Sequence, residues 1–198
     1  MSLFRRRGRR GDSGSVLVVG LGNPERRYAG TRHNVGFEVA RVVADRWQLP
    51  RPRKRYRGLI AEGRAGAGGP RVAVLMPQTY MNESGASAGP ARGALKVPLD
   101  RVVAVHDEID LPFGEVRSRL GGGLAGHNGL KSLAQHLGGP GFRRVRVGVG
   151  RPDTTDPELV SRHVLGRFEE DESEVRELIE RAADEVERVV GEASRSAE

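Results

Sequence analysis

Short apolar runs alternate with longer stretches of mixed polarity along the chain. Runs at Val16–Val19, Leu59–Glu62, Val72–Met76, Val102–Val105, Glu115–Arg119 and Arg144–Val149 are rich in valine or alternate in polarity, and they predict β-strands. Between them the hydrophobic period lengthens. Val35, Val39, Val42 and Val43 recur near helical spacing and predict a helix over Asn34–Trp47, and Leu130–Leu137 predicts a shorter one. After Pro77 the pattern asks for another helix, but Gly85, Gly89, Pro90 and Gly93 weaken it and predict a short or kinked one. The last helix is the clearest, because Val175, Leu178, Ile179, Ala182, Ala183, Val186 and Val190 form an apolar stripe in a charged segment. "RPRKRYRG" (Arg51–Gly58) and "GRAGAGGP" (Gly63–Pro70) read as exposed loop or hairpin material. Strands alternating with helices predict an α/β protein whose sheet is largely parallel with helices on its faces. Sheets of this kind gather their chemistry at the carboxyl ends of the strands.

Composition narrows the class. A chain of 198 residues with 37% hydrophobic content suits one domain with its own core. No apolar run approaches the roughly 20 residues that span a bilayer. Cysteine is absent, which excludes disulfides, thiol nucleophiles and Cys-based zinc sites and suits a reducing compartment. The opening "MSLFRRRGRRGDSGS" has a basic start without the apolar stretch of a secretory signal, and residues 1–14 are expected to be a disordered basic tail. The formal charge of +7, carried mostly by Arg, favours contact with polyanions, nucleic acid above all.

The strand ends carry the candidate chemistry. "GLGNPERRYAGTRHNVGF" (Gly20–Phe37) opens with Gly20-x-Gly22, but the third glycine of a dinucleotide fingerprint is missing and Pro24 intrudes. What remains is a turn presenting Asn23 and a loop delivering His33 just before a helix. "PQTYMNESG" (Pro77–Gly85) presents an amide, Asn82, where a plain surface turn would suffice. In "VHDEIDLPFGE" (Val105–Glu115), Asp107, Glu108 and Asp110 crowd together. They fit a hard-cation site, an acidic turn, or one Asp orienting a His. "EVRSRLGGGLAGHNGLKSL" (Glu115–Leu133) gives Arg117 and Arg119 on one face of a strand. A glycine loop follows, and then Asn128, which is either a helix N-cap or a functional amide. "FRRVRVGVG" repeats the period-two pattern with Arg144 and Arg146. Such guanidinium rows suit phosphate binding or an ordinary solvated sheet face.

Taken in order, "VVGLGNPERRYAGTRHNVGF", "PQTYMNESG", "VHDEIDLPFGEVRSRLGGG", "GHNGLKSL" and "FRRVRVGVGRP" resemble bacterial peptidyl-tRNA hydrolases over Val16 to about Val190. The resemblance implies a single domain, residues 15–192, with a mixed, largely parallel sheet surrounded by helices. It further implies a monomeric cytoplasmic enzyme that uses neither metal nor cofactor and has no membrane partner. Such an enzyme would cleave the ester between peptide and tRNA and so recycle tRNA from aborted translation. By the same resemblance His33 is the catalytic residue, Asp107 its partner, and Asn128 the group that positions water or stabilises the oxyanion. Asn23 and Asn82 contact the substrate, Tyr28 and Met81 shape the groove, and Arg117, Arg119 and Arg146 clamp tRNA phosphate. The family commonly carries Lys at the first two of those Arg positions. Leu124-Ala125 departs from the His-Gly expected in the glycine loop.

Overall fold

A computed structural model describes residues 14–195. The expected tail, residues 1–14, lies outside these described residues except for Gly14. Seven strands form one sheet in the order β2-β3-β4-β1-β5-β7-β6. They are β1 (Val16–Gly20), β2 (Arg53–Arg55), β3 (Gly58–Arg64), β4 (Arg71–Pro77), β5 (Val102–Glu108), β6 (Val116–Leu120) and β7 (Arg143–Gly148). β4, β1, β5 and β7 run parallel, whereas β2, β3 and β6 are antiparallel additions at the two edges. The sheet is therefore mixed with a parallel centre, as expected. The Gly-rich segment after Arg64 is the hairpin turn joining β3 to β4.

Valine-rich strands in the middle of the sheet are buried on both sides, so alternate residues feed two separate cores. Val16, Val18, Val103, Val105, Val145 and Val147 meet α1 (Val35–Arg46) and the long α5 (Glu172–Arg195). Leu17, Val19, Val102 and Ala104 meet α2 (Gly85–Leu95) and α3 (Asn128–Leu137) on the other face. α5 buries Leu178, Ala182, Ala183, Val186 and Val190 of its predicted stripe. Truncating Leu178 to Ala would cost about 2–5 kcal/mol by the usual large-to-small rule. α2 survives with Pro90 inside it.

Gly20-x-Gly22 is explained by packing. A Cβ at Gly20 would stand 2.4 Å from the Gly36 carbonyl oxygen, and one at Gly22 would meet the Phe37 ring at 2.7 Å. These glycines let α1 lie directly on β1. Two elements were not expected from the apolar pattern. β2 is entirely exposed and basic, so it carries no hydrophobic signal. α4 (Pro157–Leu165) buries none of its residues. It begins on an Asp156 N-cap, whose side chain accepts the Glu158 N–H at 2.8 Å, with proline at the start of the helix. "DPE" was the legible signal for that start. No helix among the described residues is long and apolar enough to cross a membrane.

Candidate active site

A cavity of about 840 Å³ opens at the carboxyl ends of β1, β4 and β5. Asn23, Tyr28, His33, Met81, Asn82, Asp107, Asn128, Arg119 and Arg146 all line it. Nine of the ten predicted site residues therefore meet in one place. Arg117 is the exception: it lies outside the lining and donates to Glu115 at 2.7 Å.

His33 ends the loop after β1, one residue before the N-cap of α1, and Asp107 is the penultimate residue of β5. Nδ1 of His33 lies 2.9 Å from Oδ1 of Asp107. The carboxylate accepts, so the proton sits on Nδ1 and Nε2 is left as the basic nitrogen. A second imidazole reaches the same oxygen, His127 Nε2 at 3.0 Å. His127 is also the N-cap of α3, its Nδ1 accepting the backbone N–H groups of Gly129 (3.1 Å) and Leu130 (3.3 Å). That pattern assigns the His127 proton to Nε2, which donates to Asp107. Asn128 is therefore not the cap but the first residue of α3. His33, Asp107 and His127 each place a donor atom within 4.8 Å of the others. Hydrogen bonding to one shared oxygen produces that spacing by itself.

The electrostatics follow from burial and pairing. Burial alone would raise the Asp107 carboxyl, but His33 and His127 together hold it well below the usual carboxylate range. Burial alone would lower His33; Asp107, by charge and hydrogen bond, outweighs it and leaves the imidazole raised above 6.5. His106, directly before Asp107, is fully buried and bonds the Asp107 backbone oxygen through Nδ1 at 2.7 Å. Burial, followed by the neighbouring His127, pushes it down to about 3. Its ring meets that of His127 edge-on with centroids 5.0 Å apart.

The rest of the acidic cluster goes to other partners. Glu108 accepts from Arg146 Nε at 3.0 Å, and Asp110 pairs with Arg151 at 2.7 Å. Of the three readings of that cluster, an Asp orienting a His describes Asp107. The amides divide in a similar way. Asn23 is buried, and its Oδ1 accepts the Met81 backbone N–H at 2.8 Å, tying the loop after β1 to the segment after β4. Asn34 grips the Asn23 backbone at both ends, at 2.8 and 2.9 Å. Asn82 and Asn128 are exposed on the cavity wall, and their side chains have no partner among the described residues.

Arg117, Arg119, Arg144 and Arg146 do share one face, since Arg117 is opposite Arg146 and Arg119 opposite Arg144. They are not a uniformly solvated row, because Arg144 is only 2% exposed. Leu124 and Ala125 also line the cavity, and Ala125 adopts φ +46, a left-handed conformation uncommon for a residue with a Cβ. His106, His127 and the α4 residues Val160 and Val164 are lining residues that received no role from the sequence, and Arg144, which the sequence grouped with Arg146, lines the cavity as well. His127 could have been found, since it immediately precedes Asn128 at a helix start.

Residues 17–198 match the family model described as peptidyl-tRNA hydrolase. The peptidyl-tRNA hydrolase of Methylocella silvestris is 48% identical over 80% of this chain and 78% of its own length. That of Geobacillus kaustophilus is 45% identical over 88% and 92%. The crystal structure of the Acinetobacter baumannii peptidyl-tRNA hydrolase superposes with a TM-score of 0.76 at 34% identity, covering 93% of this chain and 96% of that one. A peptidyl-tRNA hydrolase crystallised with n-propanol gives a TM-score of 0.79 at 36% identity, with 92% of each chain covered. With this match spanning the sheet, both helical layers and the cavity, the chain belongs to the peptidyl-tRNA hydrolase family.

Proposed function

We propose that this protein hydrolyses the ester joining a peptide to the terminal ribose of tRNA, returning tRNA from aborted translation, with His33 as general base. The observation that carries the mechanism is the 2.9 Å contact between His33 Nδ1 and Asp107 in the cavity, which leaves Nε2 unprotonated and without a partner among the described residues. An ester is activated enough for water to attack once its proton is removed, and a positioned imidazole suits that transfer. Nε2 takes a proton from water as the hydroxide adds to the ester carbonyl. The tetrahedral intermediate then collapses, the carbonyl carbon–ribose oxygen bond breaks, and His33 returns the proton to the departing ribose oxygen. The peptide leaves as a carboxylic acid.

Asp107 fixes the tautomer and stabilises the imidazolium between those two transfers. Asn128 donates to the developing oxyanion or holds the water. Asn23 and Asn82 bind the peptide and the tRNA end through groups whose charge does not change with pH. Tyr28 and Met81 form the groove wall. Arg119 and Arg146, with Arg117 at the margin, supply the phosphate clamp, and Arg at these positions adds bidentate geometry to the charge. Every one of these groups comes from one chain, so a monomer suffices. A cytoplasmic location with no membrane partner suits that substrate.

The test is release of labelled peptide from N-acyl-aminoacyl-tRNA by the wild type and by His33→Ala, with EDTA present. Release by the wild type, reduced by about 10²–10⁴-fold in the variant with tRNA affinity retained, is the expected result. Equal turnover by the two proteins would remove His33 from the mechanism. Tight tRNA binding with no release by either would leave an RNA-binding protein on this scaffold.

A further inference from the structure

Arg144 is a cation buried where a hydrolase of this kind has no evident use for one. It is 2% exposed and ranks among the largest fully buried side chains. Its guanidinium meets carbonyls: Nη1 donates to Gly123 O at 2.5 Å and Nη2 to Gly122 O at 2.7 Å. The Phe142 ring lies against it, 5.1 Å from centroid to guanidinium carbon. Burial, with the like charges of Arg119 and Arg146, lowers its basicity, and Glu108 opposes them. Taking a cation out of water is costly unless geometry compensates. The hydrogen bonds it makes go to the loop: each terminal nitrogen donates to one loop carbonyl, while the buried Nε has no partner among the described residues.

That loop leads directly to the catalytic carboxylate. Gly121 N–H bonds Phe142 O at 2.9 Å, so the loop leaves β6 held against β7. Gly122 and Gly123 are the residues Arg144 grips. Gly122 has φ +96, and a Cβ there would stand 2.2 Å from the Arg119 guanidinium, so the backbone is confined between two Arg side chains. Leu124 O then accepts the His127 N–H at 2.9 Å, closing the turn, and His127 reaches Asp107.

We infer that Arg144 is a positioning residue: by holding the carbonyls of Gly122 and Gly123 it fixes the loop that delivers His127 and Asn128 to Asp107. The inference rests on the hydrolase activity proposed above. Arg144 thus differs in task from Arg119 and Arg146, its neighbours on the same face of the sheet. A loop freed at its root would present Asn128 at varying positions relative to the reacting carbonyl, and misplacement by about 1 Å costs up to about 10²-fold in rate.

The experiment compares wild type, Arg144→Met and Arg144→Lys by steady-state kinetics on N-acyl-aminoacyl-tRNA and by amide hydrogen exchange. In Arg144→Met, kcat should fall by about 10–10²-fold with KM little changed, and exchange should accelerate over residues 121–130 but not in β5 or β1. Arg144→Lys keeps the charge but cannot span two carbonyls, so it should fall between the two. If the Met variant does not fold, the Lys variant decides. Unchanged kcat in a folded variant overturns the inference, as does a loop whose protection matches wild type. A rise in KM with kcat unchanged also overturns it, because that would make Arg144 a substrate contact. No release by the wild type would instead defeat the hydrolase proposal, and the exchange measurement would still report on the loop.

Discussion

His33 and His127 approach from opposite faces of the sheet and meet on one atom. Their rings lie 5.0 Å apart, and each donates to Asp107 Oδ1, at 2.9 and 3.0 Å. His33 stands just ahead of α1 and His127 caps α3, so the carboxylate at the end of β5 joins the two helical layers. One oxygen has lone pairs for both donors, so neither imidazole displaces the other.

The pH dependence follows from this pairing. The proposed general base, His33, acts unprotonated and is raised above 6.5, so kcat/KM should climb with pH through a midpoint above 6.5. In Asp107→Asn the raising influence is gone while burial, which lowers, remains. The midpoint should move below 6.5, with kcat reduced. A pH–rate profile from 5 to 9, paired with NMR titration of the imidazole, measures both effects. A midpoint that does not move in the variant would separate Asp107 from His33.

His106 links acid to stability. Burial, with His127 adding to it, holds the folded-state value down to about 3, whereas an unfolded His takes up its proton near 6.5. The unfolded chain therefore binds more protons between those limits. Stability from this residue is present above 6.5 and is lost as pH falls toward 3, by about 1.4 kcal/mol per pH unit. His106→Asn should remove up to about 2 kcal/mol of the loss between pH 7 and pH 5 in urea unfolding. Parallel losses in variant and wild type would contradict this.

Asn23 has two separable jobs. Its Oδ1 satisfies the Met81 N–H, and its amide NH₂ has no partner among the described residues. Asn23→Ala should destabilise by about 1–3 kcal/mol by leaving a buried N–H unpaired. Asn23→Asp keeps the acceptor, so the fold should be retained while peptide release slows for want of the donor. Denaturant unfolding alongside kinetics distinguishes the two, and equal stability losses in the variants would argue against the Met81 contact as the structural one.

The two Arg of β6 should not weigh equally. Arg119 lines the cavity, whereas Arg117 lies outside it and already pairs with Glu115. Arg119→Ala should reduce the slope of log affinity for tRNA against log salt by about 0.7–0.9, the contribution of one phosphate contact. Arg117→Ala should change it less. Identical slopes for wild type and Arg119→Ala would remove that residue from the clamp.

Much of this site was legible because its residues sit where sheet topology demands. Asn23, His33, Asn82 and Asp107 all follow or end valine-rich strands, and the parallel order of β4, β1 and β5 brings those ends together. The division of labour among like residues was not legible. Arg144 and Arg146 are two apart in one strand, yet one is sealed beneath a glycine loop and the other pairs with Glu108. The difference comes from residues 122 and 123, which fold back over β7. His127 and Asn128 likewise exchange the expected capping role, since an imidazole can accept two backbone N–H groups as an Asn oxygen does. β2 was legible only as loop or hairpin material, because an edge strand can be held by backbone pairing alone, with charged side chains on both faces.

That Asp107 joins both helical layers has a kinetic consequence for how the chain acquires activity. A folding intermediate with α1 docked and α3 still loose, or the reverse, would have a sheet, a core and most of its helical content, but only half of the contacts on the carboxylate. Far-UV dichroism would recover early in such a refolding experiment. Turnover would recover only with the later of the two dockings, which makes peptide release a clock for the final step of assembly.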